Sequence, residues 1–259
     1  MSGNGTALVT GGSAGIGLAF ATALAARGED LVLVARNAAN LEETARRLRA
    51  THDVDVETMT ADLADRAAVQ RVAERLADSA RPVDTLINNA GFGMRSKLTG
   101  PDLSEQERAI EVMCRAVLVL GGAAGRAMRS RGHGAIVNLS SVAGFLAMGG
   151  YSAIKAWVMT YSESLAVELA GTGVTVTAAC PGFVRTEFHQ RAAIDMSRMP
   201  RLGWVDVDDV VATTLRDIGR RRVISIPSAR FRAISALARH APRGVIRRVS
   251  AAVLAARNQ

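Results

Sequence analysis

Thr10-Gly11-Gly12-Ser13-Ala14-Gly15-Ile16-Gly17 is the stretch of this 259-residue chain whose reading decides the fold. It ends the β-branched and aliphatic run Thr6 to Thr10 and opens Gly15 to Arg27, a segment with helical spacing. Glycines here permit a tight turn and close backbone approach. The amino terminus of the following helix offers free N–H groups and a positive dipole to a pyrophosphate. A glycine-rich turn without a ligand is the competing explanation, but a strand before and a helix after favour a dinucleotide site. The spacing is Gly-x-x-x-Gly-x-Gly, not the commoner Gly-x-Gly-x-x-Gly.

Outward from this turn, strand and helix alternate. Thr6 to Thr10, Leu31 to Ala35, Val54 to Met59, Thr85 to Ile87, Ala135 to Leu139, Val174 to Ala179 and Val223 to Ile226 read as strands. Gly15 to Arg27, Ala38 to Ala50, Ala67 to Ser79, Ser104 to Arg131, Gly150 to Ala170 and Asp206 to Ile218 read as helices. Parallel crossovers are long enough to need helices, so the pattern predicts a doubly wound α/β fold. Seven mostly parallel strands carry helices on both faces. Hydrophobic content of 49% and the absence of a linker or repeat make residues 1–227 one domain, with 228–259 a basic helical extension. The aperiodic segment 187–204 reads as a mobile lid.

Composition narrows the function. The apolar run around Ala116 to Ala124 is too short to span a bilayer, and the amino terminus lacks a signal-peptide pattern, so a cytoplasmic protein is expected. Cys114 and Cys180 have no ligand or redox spacing, the histidines form no metal motif, and no metal is expected. The formal charge is +8, but seven arginines and no acidic residue lie between Ser228 and Gln259. The first 227 residues hold 25 basic and 24 acidic side chains, so the body is not a nucleic-acid surface.

The reacting residues announce themselves by position. Tyr151 is one of two tyrosines and stands four residues before Lys155, one of two lysines in a chain that otherwise uses arginine. Four residues apart on a helix is one face, so the ammonium should lie near the phenol and lower its pKa from about 10. That makes Tyr151 a candidate general acid or base, with an incidental helical pair as the alternative. Arg36 follows the second strand, where NAD-selective proteins of this fold place an acid for the ribose hydroxyls. A guanidinium there suits a 2′-phosphate, which predicts NADP(H) over NAD(H).

The glycine spacing together with Tyr151 and Lys155 resembles the short-chain dehydrogenase/reductase family of single-domain Rossmann enzymes. Asn88-Asn89-Ala90-Gly91, Asn138-Leu139-Ser140-Ser141 and Pro181-Gly182-Phe183-Val184-Arg185-Thr186 extend the resemblance over nearly the whole chain, each after a successive strand. The resemblance implies hydride transfer between a nicotinamide and a carbonyl or alcohol carbon, with Tyr151 exchanging the proton. Ser141, rather than Ser140, would hydrogen-bond the same oxygen, and Lys155 would hold the nicotinamide ribose. It further implies that Gly11, Ser13, Gly15, Ile16 and Gly17 form the phosphate turn, that Asp62 and Leu63 flank the adenine, and that Asn89, Ala90 and Gly91 line the ribose. Pro181, Gly182, Val184 and Thr186 would meet the nicotinamide end, Val184 and Thr186 at the carboxamide. A homodimer or homotetramer through the fourth and fifth helices is implied as well.

Two departures from the family pattern stand out. Met113 occupies the position of the helix asparagine that anchors a water in the proton relay, and a thioether donates nothing and accepts poorly. The interval from Ser141 to Tyr151 is also a few residues short, which a trimmed loop at Phe145 to Gly150 would absorb. Phe145, Leu146, Met148, Phe183, Phe188, Met196, Met199, Leu202 and Trp204 suggest a small apolar ketone, aldehyde or alcohol as substrate, or else packing of the lid. Arg185, Glu187 and His189 are available to select a polar end. A second reading, supported by Met113 alone, is a nucleotide-binding but catalytically weak sensor. The stretches Ala229 to His240 and Arg243 to Ala255 are basic and amphipathic, suited either to packing on the body or to contact with a membrane surface.

Overall fold

The computed structural model describes residues 5–184 and 203–257. Seven strands form one parallel sheet: β1 (Thr6–Thr10), β2 (Asp30–Ala35), β3 (Val56–Thr60), β4 (Thr85–Asn88), β5 (Gly134–Leu139), β6 (Val174–Ala179) and β9 (Ile224–Ser225). Their spatial order is β3-β2-β1-β4-β5-β6-β9, and the short strands β7 (Phe183–Val184) and β8 (Trp204–Val205) pair separately. The helices are α1 (Gly15–Ala25), α2 (Ala38–His52), α3 (Arg66–Ala77), α4 (Ser104–Ile110), α5 (Ala116–Arg131), α6 (Gly150–Glu168), α7 (Val207–Gly219), α8 (Ala229–His240) and α9 (Arg243–Arg257).

Alternation along the strands sends successive side chains to opposite faces, and helices cover both. Leu8, Val32, Val34, Leu86 and Ile136 pack against Val69, Val72, Leu120, Met128 and Ile154 of α3, α5 and α6. Their sequence neighbours Ala7, Val9, Leu31, Leu33, Ile87 and Val137 pack the other way, against Phe20, Leu24, Leu41, Val211 and Leu215 of α1, α2 and α7. From β1 the chain winds first to β2 and β3, then returns to β4 on the other side. The crevice between the carboxyl ends of β1 and β4 is therefore the topological switch point, where ligands of such sheets bind.

The helix expected over Ser104 to Arg131 is interrupted, because Glu111–Arg115 form a turn of π-helix between α4 and α5. Apolar periodicity continues through it, so the sequence pattern alone does not reveal the wider turn. The two helices expected in the extension form, as α8 and α9. Of the expected lid, residues 187–202 lie outside the described residues, as do Arg185 and Thr186; Trp204 belongs to β8. Among the described residues no helix is long and apolar enough to cross a membrane, and no cluster has the composition of a metal site.

A buried polar chain ties α6 to the sheet. Asn88 Nδ2 donates to Asn138 Oδ1 (2.9 Å), Asn138 Nδ2 donates to Ser162 Oγ (3.0 Å), and Ser162 Oγ donates to Val158 O (2.7 Å). Replacing the central member leaves the Asn88 amide without its acceptor and takes from Ser162 the bond it accepts, at about 1–3 kcal/mol for an unsatisfied buried group. Asn138→Ala should therefore lower the unfolding free energy by roughly 2–4 kcal/mol in urea titration. A loss below about 1 kcal/mol would show that the chain is not cooperative.

Candidate active site

The glycine turn is built as the sequence implies. Gly11 and Gly15 take positive φ (67° and 53°), which glycine alone accepts without strain. A Cβ at Gly17 would collide with the Gly11 carbonyl and the Asn89 amide, so the start of α1 lies directly on the turn. Thr10 Oγ1 accepts the N–H groups of Asn89 (3.0 Å) and Ala90 (3.1 Å), while Asn89 Nδ2 donates to Thr10 O (2.9 Å) and Gly11 O (3.3 Å). Asn89 thus locks the ends of β1 and β4 together; its amide is spent on the protein's own backbone.

Whether this turn suits a pyrophosphate can be judged from the cap of α1. Asn37, Asp65 and Asp206 cap α2, α3 and α7 through their side chains. α1 has Ala14 at that position, no side-chain cap and no acidic residue in its first turn. Its leading N–H groups are left to a ligand, and an anion fits them.

At the adenosine end, Arg36 is exposed after β2 and near enough to Asp62 to favour its carboxylate. Arg108 grips both Asp62 oxygens (3.0 and 2.7 Å), and Ala64 N–H adds a bond. Partial burial is the largest single influence on Asp62 and opposes ionisation. Together Arg108, the Ala64 N–H and Arg36 outweigh it and hold the acid below its usual range. Leu63 is buried among core residues. Arg108 was not singled out by sequence, because an arginine on a solvated helix face has no distinguishing pattern.

At the other end of the crevice, Tyr151 and Lys155 share one face of α6, and Lys155 Nζ lies 5.5 Å from the centre of the tyrosine ring. Lys155 is 5% exposed, and its Nζ donates to Leu139 O at 2.7 Å. Ser140 is also buried, with its Oγ donating to Lys155 O at 2.7 Å. Ser141 instead begins the 3₁₀ turn Val142–Phe145, accepts from Ala143 N (3.1 Å), lies 3.5 Å from Pro181 O and hydrogen-bonds Tyr151. Ser141 and not Ser140 therefore faces the phenol.

Electrostatics here depart from the sequence expectation. Burial raises the Tyr151 pKa well above its ordinary value, with the Ser141 hydrogen bond a smaller opposing influence. Burial also lowers Lys155 to about 8. The reason is that desolvation penalises both charged forms and outweighs the attraction read from the four-residue spacing. Cys114 and Cys180 are free thiols, pushed by burial to about 11 and about 12 and partly offset by the charge of Lys155. Met113 sits on the π turn, 1% exposed, its Sδ 2.9 Å from where a Cβ on Gly91 would stand.

The C-terminal helices complete the frame. Phe231 of α8 lies in a cluster with Phe145, Cys180, Val184 and Val205, pressed so closely on Gly182 that a Cβ there would overlap the ring. Arg239 stacks over the Phe145 ring at 5.7 Å and pairs with Glu163 at 3.3 Å. Ala147 N donates to Ser250 Oγ of α9 at 3.0 Å. The short loop between Ser141 and Tyr151 is thus held from outside, and Phe145, expected either to meet substrate or to pack, is buried in this cluster. Sequence reasoning missed this role of Phe231, Arg239 and Ser250 because they lie about 50 to 100 residues from their partners.

Comparison with known proteins agrees with this geometry. The short chain dehydrogenase family pattern matches residues 5–196. Galactitol 2-dehydrogenase of Rhizobium johnstonii is 36% identical over 201 residues, covering 75% of this chain and 77% of its own. Among solved structures, a short-chain dehydrogenase from Sphingobium yanoikuyae in complex with NADPH is 38% identical with a TM-score of 0.82, covering 90% of this chain and 92% of that one. A bulky-bulky ketone specific alcohol dehydrogenase from Comamonas testosteroni is 31% identical with a TM-score of 0.80, covering 92% and 93%. The chain belongs to the short-chain dehydrogenase/reductase family. It is an oxidoreductase acting between CH–OH and C=O with a nicotinamide cofactor, NAD(P).

The Phe231–Gly182 contact generates a test. Gly182→Ala should lower the melting temperature and weaken cofactor binding, and Phe231→Ala in that background should recover part of the loss. Thermal unfolding of both single variants and the double variant measures the coupling, and strictly additive effects would show that the ring does not limit this turn.

Proposed function

We propose that this protein is an NADP(H)-dependent carbonyl reductase, or the matching secondary-alcohol dehydrogenase, acting on an apolar ketone or aldehyde. The observation that carries this reading is the arrangement of Ser141, Tyr151 and Lys155. A partly buried phenol is hydrogen-bonded to one serine and underlain by a buried ammonium held at Leu139 O. Arg36 supports NADP(H), since a guanidinium attracts a 2′-phosphate and no acid stands in its place. The resemblance to a ketone-specific dehydrogenase and the partly buried Leu146, Met148 and Phe183 support an apolar substrate. Gly11, Ser13, Gly15, Ile16 and Gly17 would take the pyrophosphate. Asp62, with the Leu63 backbone, would flank the adenine, and Asn89, Ala90 and Gly91 the ribose. Pro181, Gly182 and Val184, with Thr186 beyond the described residues, would meet the carboxamide end.

When bound, the nicotinamide supplies or receives the hydride. Tyr151 does the proton work. Kept neutral by burial, it gives its proton to the carbonyl oxygen as negative charge develops there, and in the reverse direction takes it back. Ser141 Oγ holds the same oxygen and fixes its distance from the phenol. Lys155 spends one N–H on Leu139 O and keeps two for ribose hydroxyls, while its charge favours the phenolate left after transfer. Exposed Leu118 and Trp157 on α5 and α6 support a homodimer or homotetramer formed through these helices.

Tyr151→Phe should reduce NADPH-dependent ketone reduction at least a thousandfold and leave NADPH affinity within about threefold, by steady-state kinetics and fluorescence titration. Turnover retained by that variant would remove Tyr151 as the donor. The wild type should prefer NADPH to NADH, and Arg36→Ala should cut that preference roughly tenfold or more. Because burial lowers Lys155 to about 8, its ammonium is present below that pH and lost above it. The kcat/KM for reduction should accordingly fall as pH rises through about 8, whereas a limb beginning above about 10 would mean that the lysine keeps its ordinary basicity.

A further inference from the structure

We propose that α8 and α9 form a docking surface for an anionic lipid membrane. Each helix has an inner stripe turned to the body: Phe231 and Ser235 are buried and Ala238 half-buried on α8, and Ile246 and Ser250 are buried on α9. What remains outside is not the polar face that a packed surface helix normally shows. Ile234 and Leu237 are 51% and 75% exposed, and Val245 and Val249 are 47% and 48% exposed. Arg230, Arg232, Arg243, Arg247 and Arg248 are exposed on the same two helices.

Charge identifies the occupant. No acidic residue lies between Ser228 and Gln259, while the rest of the chain is almost neutral, so the positive field is concentrated here. A lipid surface matches both features at once. Aliphatic side chains enter the boundary between headgroups and acyl chains, and guanidinium groups bind phosphates above it, their stems lying along the apolar layer. An acidic protein partner would be met by a groove or exposed aromatic anchors. The one aromatic residue on these helices, Phe231, is instead turned inward.

The inner faces explain why docking here matters. Phe231 presses on Gly182 and Ser250 holds Ala147, so the surface adjoins the loop between Ser141 and Tyr151. A membrane bound to it stands beside the reacting end, where an apolar carbonyl dissolved in lipid is concentrated. This consequence for substrate supply rests on the reductase reading; docking itself does not.

The test is co-sedimentation of the full chain with vesicles of phosphatidylcholine, alone or mixed with phosphatidylglycerol. The protein should pellet with the mixed vesicles only, and high salt should release it. Arg243→Glu combined with Arg247→Glu and Arg248→Glu should weaken binding at least tenfold, and Ile234→Gln with Leu237→Gln should weaken it severalfold. All variants should reduce a soluble ketone as the wild type does. No pelleting at low salt, equal pelleting with neutral vesicles, or indifference to either set of substitutions would overturn the proposal. Binding of polyglutamate without vesicle binding would overturn it in favour of an acidic protein partner. Pelleting of Tyr151→Phe with anionic vesicles is expected, and it separates docking from the fate of the catalytic assignment.

Discussion

An ammonium group buried beneath a phenol is the constraint on which the rest of this site depends. Lys155 lies almost out of water, and such a charge is tolerated only where fixed polar groups replace its hydration. Leu139 O does so from the end of β5, and burial still lowers the lysine to about 8. The bond fixes α6 relative to β5. Ser140 Oγ reinforces it by donating to the Lys155 carbonyl, and the Asn88–Asn138–Ser162 chain repeats the link one layer deeper. Tyr151 therefore projects from a helix that the sheet holds along most of its length. Pre-organisation of this kind lets a phenol transfer a proton without first being repositioned.

The cofactor end is governed by a different rule. Side chains are absent there: Gly11, Gly15 and Gly17 leave the turn bare, and α1 starts without a capping side chain, the construction that suits an anion. Thr10 and Asn89 compensate by tying the ends of β1 and β4 together, which gives a flexible sequence a single conformation. The two ends differ in construction, one built on a buried lysine and the other on a bare glycine turn held by Thr10 and Asn89. Both stand at the carboxyl edge of one parallel sheet.

Much of this was legible in the primary structure. Strand and helix alternation, the glycine turn, and the Tyr151 and Lys155 spacing are local patterns, and local patterns survive without coordinates. A doubly wound sheet of seven mostly parallel strands followed from that alternation, and the seven parallel strands are present. What escaped was non-local or depended on a competition of energies. The π turn at Glu111–Arg115 leaves the apolar period undisturbed, so a continuous helix was expected. Phe145 read equally as a substrate contact or a packing residue, and the Phe231 it packs with lies far along the chain. The direction of the tyrosine shift was misread because spacing reveals the neighbouring charge but not the depth of burial, and burial is larger here.

The amino-acid sequence by itself determined the doubly wound fold, the family, and the spacing that sets Tyr151 and Lys155 on one helix, because each is written in residues close together along the chain. Only the tertiary structure decided that Ser140 is buried with its hydroxyl on the lysine backbone, and that Asp62 is paired to Arg108. It alone decided that a basic extension reaches back to brace the catalytic loop. The physical reason is the same in each case. Solvent exclusion and hydrogen-bond partnership are properties of a side chain's surroundings, and those surroundings are assembled from segments that the chain brings together only on folding.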